Sequence, residues 1–220
     1  MEDLHEEEAD FGCDGFGAGT ALLSEGPVSE RPASERIVAA ARELFCRDGI
    51  HATGIDRILS AAGASKMALY AKFGSKEALV HEVLLREGAA WRTAFFAEMN
   101  RGAPAALGRL RHLVPALAAW FDSGRFYGCS FMNASAEHAK GEPNLRALAV
   151  EHHRIIREHL VAIAIEAGIA EPDRVVRRMM LVMDGTIASL MVAGDRGVLA
   201  VAQENIDAIL QSSIDHISQK

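Results

Sequence analysis

From Ser34 onward, apolar residues recur with a helical period. Ile37, Val38, Ala41, Leu44 and Phe45 fall at i, i+1, i+4, i+7 and i+8, which is one stripe of a helix. Gly49 follows as a left-handed C-terminal residue and stops it. Thr53 starts a second helix, with Asp56 three positions on in a near capping box and Ile55, Ile58 and Leu59 on the inner face. Gly63 ends that helix. Ser65 caps a short third one, Lys66 to Phe73, with Leu69 and Phe73 inward. Ser75 caps a fourth, whose apolar positions include Leu79, Val80, Val83 and Leu84. Five further helices are predicted. One opens on Pro104 and runs to about Phe121, kinked at Pro115. The others span about Cys129 to Ala139, Pro143 to Ala167, Pro172 to about Ala193, and about Leu199 to Ile217. No alternating pattern of useful length is present, so an all-α fold of about nine helices is expected.

Composition adds limits. With 220 residues, half of them apolar and 24% charged, the chain can bury a substantial core without metals or disulfides. The longest apolar stretch, Met179 to Ala193, is broken by Asp184, so no membrane-spanning helix is expected. The N-terminus, MEDLHEEEAD, is acidic and lacks a secretory pattern, which points to the cytoplasm. The three cysteines, Cys13, Cys46 and Cys129, are too widely spaced for a disulfide framework or a zinc finger.

The net charge of −7 is unevenly distributed. Residues 1–30 hold nine acids and no Lys or Arg, whereas residues 31–80 hold eight Lys or Arg against five acids. A basic segment therefore follows an acidic tail, and local charge decides partners better than the total does. Residues 1–32 read as a disordered acidic and Gly-rich tail. The stretch GFGAGT, Gly15 to Thr20, lacks the preceding strand and following Lys of a phosphate-binding loop and reads as part of that tail.

Residues 54–73, GIDRILSAAGASKMALYAKF, place a helix, a Gly-containing turn and a short second helix in sequence. This is the helix-turn-helix arrangement, in which the second helix offers its outer face to a DNA major groove. The span from Arg36 to Leu84 resembles the TetR family of bacterial transcriptional regulators. The likeness is carried by ELF…G, T-x-I-x-x-I, AAG-x-SK, LY-x-x-F and GSKE-x-L, and less specifically by GCSFMNASAE at Gly128 to Glu137.

The resemblance implies a helix-turn-helix DNA-binding domain over residues 33–80 and a helical ligand-binding and dimerisation domain over 81–220. It implies phosphate contacts from Thr53, Ser65, Tyr70 and Lys76. Lys66, Met67, Ala68, Ala71 and Lys72 would lie on or beside the groove-facing side. Ala71 and Met67 depart from the residues common there, which leaves base readout to Lys72, Lys66 and methyl contacts. It also implies an apolar ligand cavity. Candidate lining residues are Trp91, Phe95, Met99, Trp120, Phe121, Phe131 and Met180, with polar groups drawn from Asn133, Glu137, His138, His152 and Asp184. Val182, Thr186, Leu190, Ile206, Ile209 and Leu210 would build a dimer interface.

His152 and His159 are seven residues apart, too far to ligate one ion as a pair, and no metal site or cofactor is expected. Cys129 reads as a small buried apolar residue. The expected partners are a double-stranded operator, a small apolar or amphipathic ligand and a second copy of the chain, with no membrane. No nucleophile–base set is visible, so an enzyme is not expected. The rival reading is a small-molecule-binding or interaction protein with a weak DNA module, since the basic excess is small.

Overall fold

The computed structural model describes residues 31–101, 104–123, 126–137 and 143–215. The acidic tail through residue 30, with Cys13 and GFGAGT, lies outside the described residues, as does His138. Among the described residues every regular element is a helix, ten in all: α1 (Ala33–Asp48), α2 (Ile55–Ala62), α3 (Lys66–Phe73), α4 (Lys76–Arg101), α5 (Ala106–Arg111), α6 (Leu113–Phe121), α7 (Ser130–Glu137), α8 (Pro143–Glu166), α9 (Pro172–Ala193) and α10 (Val198–Asp215). The all-α expectation is met, with one helix more than anticipated.

The extra helix comes from Pro115. The predicted single helix ending at Phe121 is two, α5 and α6, which meet at His112. Pro115 has no N–H for the carbonyl of Arg111 and its ring crowds that carbonyl, so the α-helical ladder stops there and restarts. Pro104 precedes α5 rather than opening it.

Two cores share α4. α1, α2, α3 and the first half of α4 enclose Ile37, Val38, Ala41, Leu44, Phe45, Ile58, Leu59, Leu69, Leu79, Val80, Val83 and Leu84. The second half of α4 contributes Trp91, Phe95 and Met99 to a larger core with α5, α6, α8, α9 and α10. α7 crosses between them: its Phe131 and Ala134 are buried with the first core, while Met132 packs on the second.

Candidate functional site

The α2–α3 turn is built by short-range chemistry. Gly63 adopts a left-handed conformation (φ 54°), and the Ala64 N–H donates back to the Leu59 carbonyl at 3.1 Å, closing the end of α2. Ser65 then caps α3, its hydroxyl accepting from the Ala68 N–H at 3.2 Å. Arg36 on α1 braces the turn from below. Its Nε donates to the Ala62 carbonyl (2.9 Å) and Nη2 to the Gly63 carbonyl (3.0 Å), at the C-terminal end of α2 where a cation is favoured. Sequence reasoning missed Arg36, because its partners are 26 and 27 residues away.

α3 buries Leu69 completely and half-buries Phe73, and these hold it against α1 and α4. Its outer face shows Lys66, Met67 (80% exposed), Tyr70, Ala71 and Lys72. Ala68 is half-buried against the first core and belongs to the packing side. Lys66 lies 3.9 Å from Asp56 in an exposed pair of little energetic weight.

Two expected phosphate contacts need correction. Thr53 is fully buried, and its hydroxyl donates toward the Gly49 carbonyl (2.7 Å) and the Leu44 carbonyl (3.3 Å). The residue preceding α2 is Gly54, and no side chain caps that helix. Thr53 thus ties the α1–α2 loop to the end of α1. Lys76 is also committed inward: its ammonium donates to the Ile50 carbonyl at 2.7 Å, stitching the same loop to α4. Thr53→Val keeps the shape and removes the donor, so it should cost about 1 kcal/mol and lower Tm by roughly 2–4 °C. DNA affinity measured well below Tm should be unchanged, whereas a fall of tenfold or more would restore Thr53 as a phosphate contact.

Behind this module, a cavity of about 50 Å³ sits between α4, α6, α7, α8 and α9. Of the candidate residues, Trp91, Trp120, Phe131, His152 and Asp184 line it. Phe95, Met99, Phe121 and Met180 do not; they are buried in the surrounding core. Asn133 is turned away, donating to the Tyr127 carbonyl at 3.0 Å, and Glu137 also lies outside. The structure adds Cys46, Glu87, Tyr127, Cys129, His153, Met132 and Met183 to the wall. Cys46 belongs to α1, so the cavity touches the helix-turn-helix module itself.

His152 stacks on Phe131 with ring centroids 4.0 Å apart, and its Nδ1 accepts from Arg92 at 2.8 Å. Burial, reinforced by the Arg92 charge, pushes its pKa down to about 3, so the ring is neutral with its proton on Nε2. Burial pushes the Cys129 thiol up, which leaves it a poor nucleophile. Asp184 is pushed up by burial as well, partly offset by His153, whose Nε2 lies 3.8 Å from Oδ1. His159 is elsewhere, stacked on Phe96 at 3.7 Å.

The proposed dimer residues also need correction. Thr186, Leu190, Ile206, Ile209 and Leu210 are buried within the subunit, where α9 packs on α10, and Val182 is half-buried against the same core. The opposite stripe of α9 is open: Leu181 (73% exposed), Gly185, Ala188 and Val192 (88% exposed). On α10, Val201 and Ala208 are likewise exposed. No helix among the described residues is long and apolar enough to cross a membrane.

These features define a helix-turn-helix module joined by one long helix to a helical domain that holds a cavity. Residues 37–83 match the model of the bacterial regulatory proteins of the tetR family. Over that span the helix-turn-helix module is similar to those of the tetR-family bacterial regulatory proteins. Over 66 residues the chain is 37% identical to the HTH-type transcriptional regulator UidR of Escherichia coli, a match covering 30% of this chain and 34% of that protein. The chain thus spans about a third of the length of the curated relatives it matches. In fold it resembles a TetR-family transcriptional regulator from Streptomyces coelicolor, with a TM-score of 0.74 and 25% identity over 82% of this chain and 95% of that one. A regulator from Saccharomonospora viridis in complex with choline shares the fold, with a TM-score of 0.62 and 19% identity over 81% of this chain and 95% of that one.

Proposed function

We propose that this protein is a transcriptional repressor that binds a palindromic operator as a homodimer and is released by a small molecule held in the cavity. The observation that carries the reading is the outer face of α3. A short helix, capped by Ser65 and braced by Arg36, leaves Lys66, Met67, Tyr70, Ala71 and Lys72 uncovered. That shape and size suit a major groove. UidR, 37% identical to this chain over 66 residues, is a transcriptional regulator by name.

The open stripe of α9 supports the dimer. Gly185 and Ala188 permit close approach of a second helix, and Leu181 and Val192 leave apolar area that a partner copy would cover. α7 supports the coupling. Its first residues, Ser130 to Met132, line the cavity. At its far end a Glu137 carboxylate oxygen accepts from the His51 N–H at 2.9 Å, and His51 Nε2–H donates to the Glu137 carbonyl at 2.6 Å. A ligand that moves α7 therefore moves the loop leading to α2, which biases the helix-turn-helix between two positions.

The test is a salt-dependent mobility shift on DNA upstream of the protein's own and neighbouring genes. Tyr70→Ala should weaken binding to all sequences by a similar factor, since phosphates carry no base identity. Lys72→Ala should in addition change the preferred sequence. Unchanged operator affinity in both variants, with the fold intact by circular dichroism, would remove α3 as the reading helix.

A further inference from the structure

We infer that the cavity takes a small organic cation, an amine or quaternary ammonium group, held by Asp184 among the rings of Trp91, Trp120 and Phe131. The inference rests on the reading of this cavity as the ligand site. Three observations lead to it.

The first is the charge of the wall. Two carboxylates, Glu87 and Asp184, line the cavity, and no Lys or Arg does so among the described residues. Glu87 is already neutralised by an ion pair with Arg42. Asp184 is less well met: its Oδ1 is buried and makes no hydrogen bond, and its one facing cationic group is His153, whose Nε2 stands 3.8 Å away, in ion-pair range only when that ring is protonated and beyond hydrogen-bond reach. Arg92 stands behind His152 and is occupied with its Nδ1. An anionic ligand could use the unpaired Trp91 Nε1–H and His153 but would face both carboxylates, whereas a cation would supply the counter-charge that the buried Asp184 Oδ1 lacks.

The second is the aromatic wall. Trp91 and Trp120 meet edge to face at 5.3 Å, and Phe131 completes the enclosure from α7. Ring faces attract a desolvated cation, indole most strongly. His152, held neutral, adds no competing charge.

The third is size and adaptability. About 50 Å³ is several times the roughly 10–15 Å³ that one ordered water needs but falls short of the roughly 300–1,000 Å³ of a drug-sized site. Met132 and Met183 in the wall can shift to admit somewhat more. The ligand is therefore compact.

The experiment uses the full chain in sodium phosphate at constant ionic strength. It follows the fluorescence of the two tryptophans, both of which line the cavity. The titrants are tetramethylammonium, choline and benzyltrimethylammonium, with 3,3-dimethylbutan-1-ol as the uncharged isostere of choline and benzoate as an anion. At least one cation should saturate at millimolar concentration or below, with 3,3-dimethylbutan-1-ol at least about tenfold weaker than choline. Asp184→Asn should abolish that preference for charge while leaving helicity intact. Should this variant fail to fold, the comparison of choline with its isostere in the wild-type chain decides by itself. Binding of the neutral alcohol or of benzoate as tight as any cation overturns the inference yet leaves the cavity a ligand site. Saturation by none of the titrants overturns the inference too, and the mobility shift then judges the DNA-binding reading separately.

Discussion

Ile209→Arg and Leu181→Glu should fail in opposite ways. Ile209 is buried between α9 and α10 within one subunit, so an arginine there is an uncompensated buried charge that costs about 4 kcal/mol or more. Leu190→Arg should behave alike, and both should give aggregated or unfolded protein. Leu181 is 73% exposed on the open stripe of α9. Glu at that position disturbs nothing in the subunit but would place a charge in the proposed interface between copies. Leu181→Glu, combined with Val192→Glu, should sediment as a folded monomer with a Tm close to that of the separated wild-type subunit. Operator affinity should fall by about 10²–10⁴, since each half-site is then bound alone. A double variant that remains dimeric and binds normally would place the interface elsewhere.

Phe131→Ala should be among the most destabilising single truncations in the chain. The ring is buried in the first core, lines the cavity and stacks on His152, so it belongs to both modules at once. Removing it should cost about 3–5 kcal/mol and lower Tm by roughly 10 °C. Phe96→Ala, which truncates a half-buried ring, should cost distinctly less. The two are compared by calorimetry, and equal losses would show that Phe131 bridges nothing.

Much of this architecture was legible in the chain because local chemistry decides it. Gly49 and Gly63 end helices with positive φ, Ser65 caps one, Pro172 opens one, and each acts within a few residues. Thr53 was misplaced because a threonine before a helix suits two roles. Its hydroxyl can cap the helix that follows or reach back to the helix before, and the loop between α1 and α2 settles the choice. Lys76 failed for a similar reason, since its acceptor at Ile50 is 26 residues away.

The dimer residues failed for a reason peculiar to α9. That helix is apolar on two faces, and periodicity finds both without saying which faces inward. The face with Met179, Met183, Ile187 and Leu190 took the core, while Leu181, Gly185, Ala188 and Val192 were left open. The cavity divided its candidates by a single helical turn. Trp91 on α4 reaches it, whereas Phe95, stacked on Trp91 at 4.6 Å, is already core. No pattern of residue types distinguishes the two.

α4 is one unbroken helix of 26 residues with one end in each core. At 1.5 Å per residue it is a rod of about 39 Å. With Trp91 at the cavity and Lys76 tied to the loop that leads into α2, the rod would act as a lever between them under the proposed function. Trp91 and Lys76 stand about 22 Å apart along it, so a tilt of about 5° at the cavity carries the Lys76 end by roughly 2 Å. Two recognition helices must stand about 34–36 Å apart to enter successive major grooves. In the proposed dimer, a displacement of that size in each subunit would put both out of step with the DNA, so a small ligand would control a contact made far from where it binds.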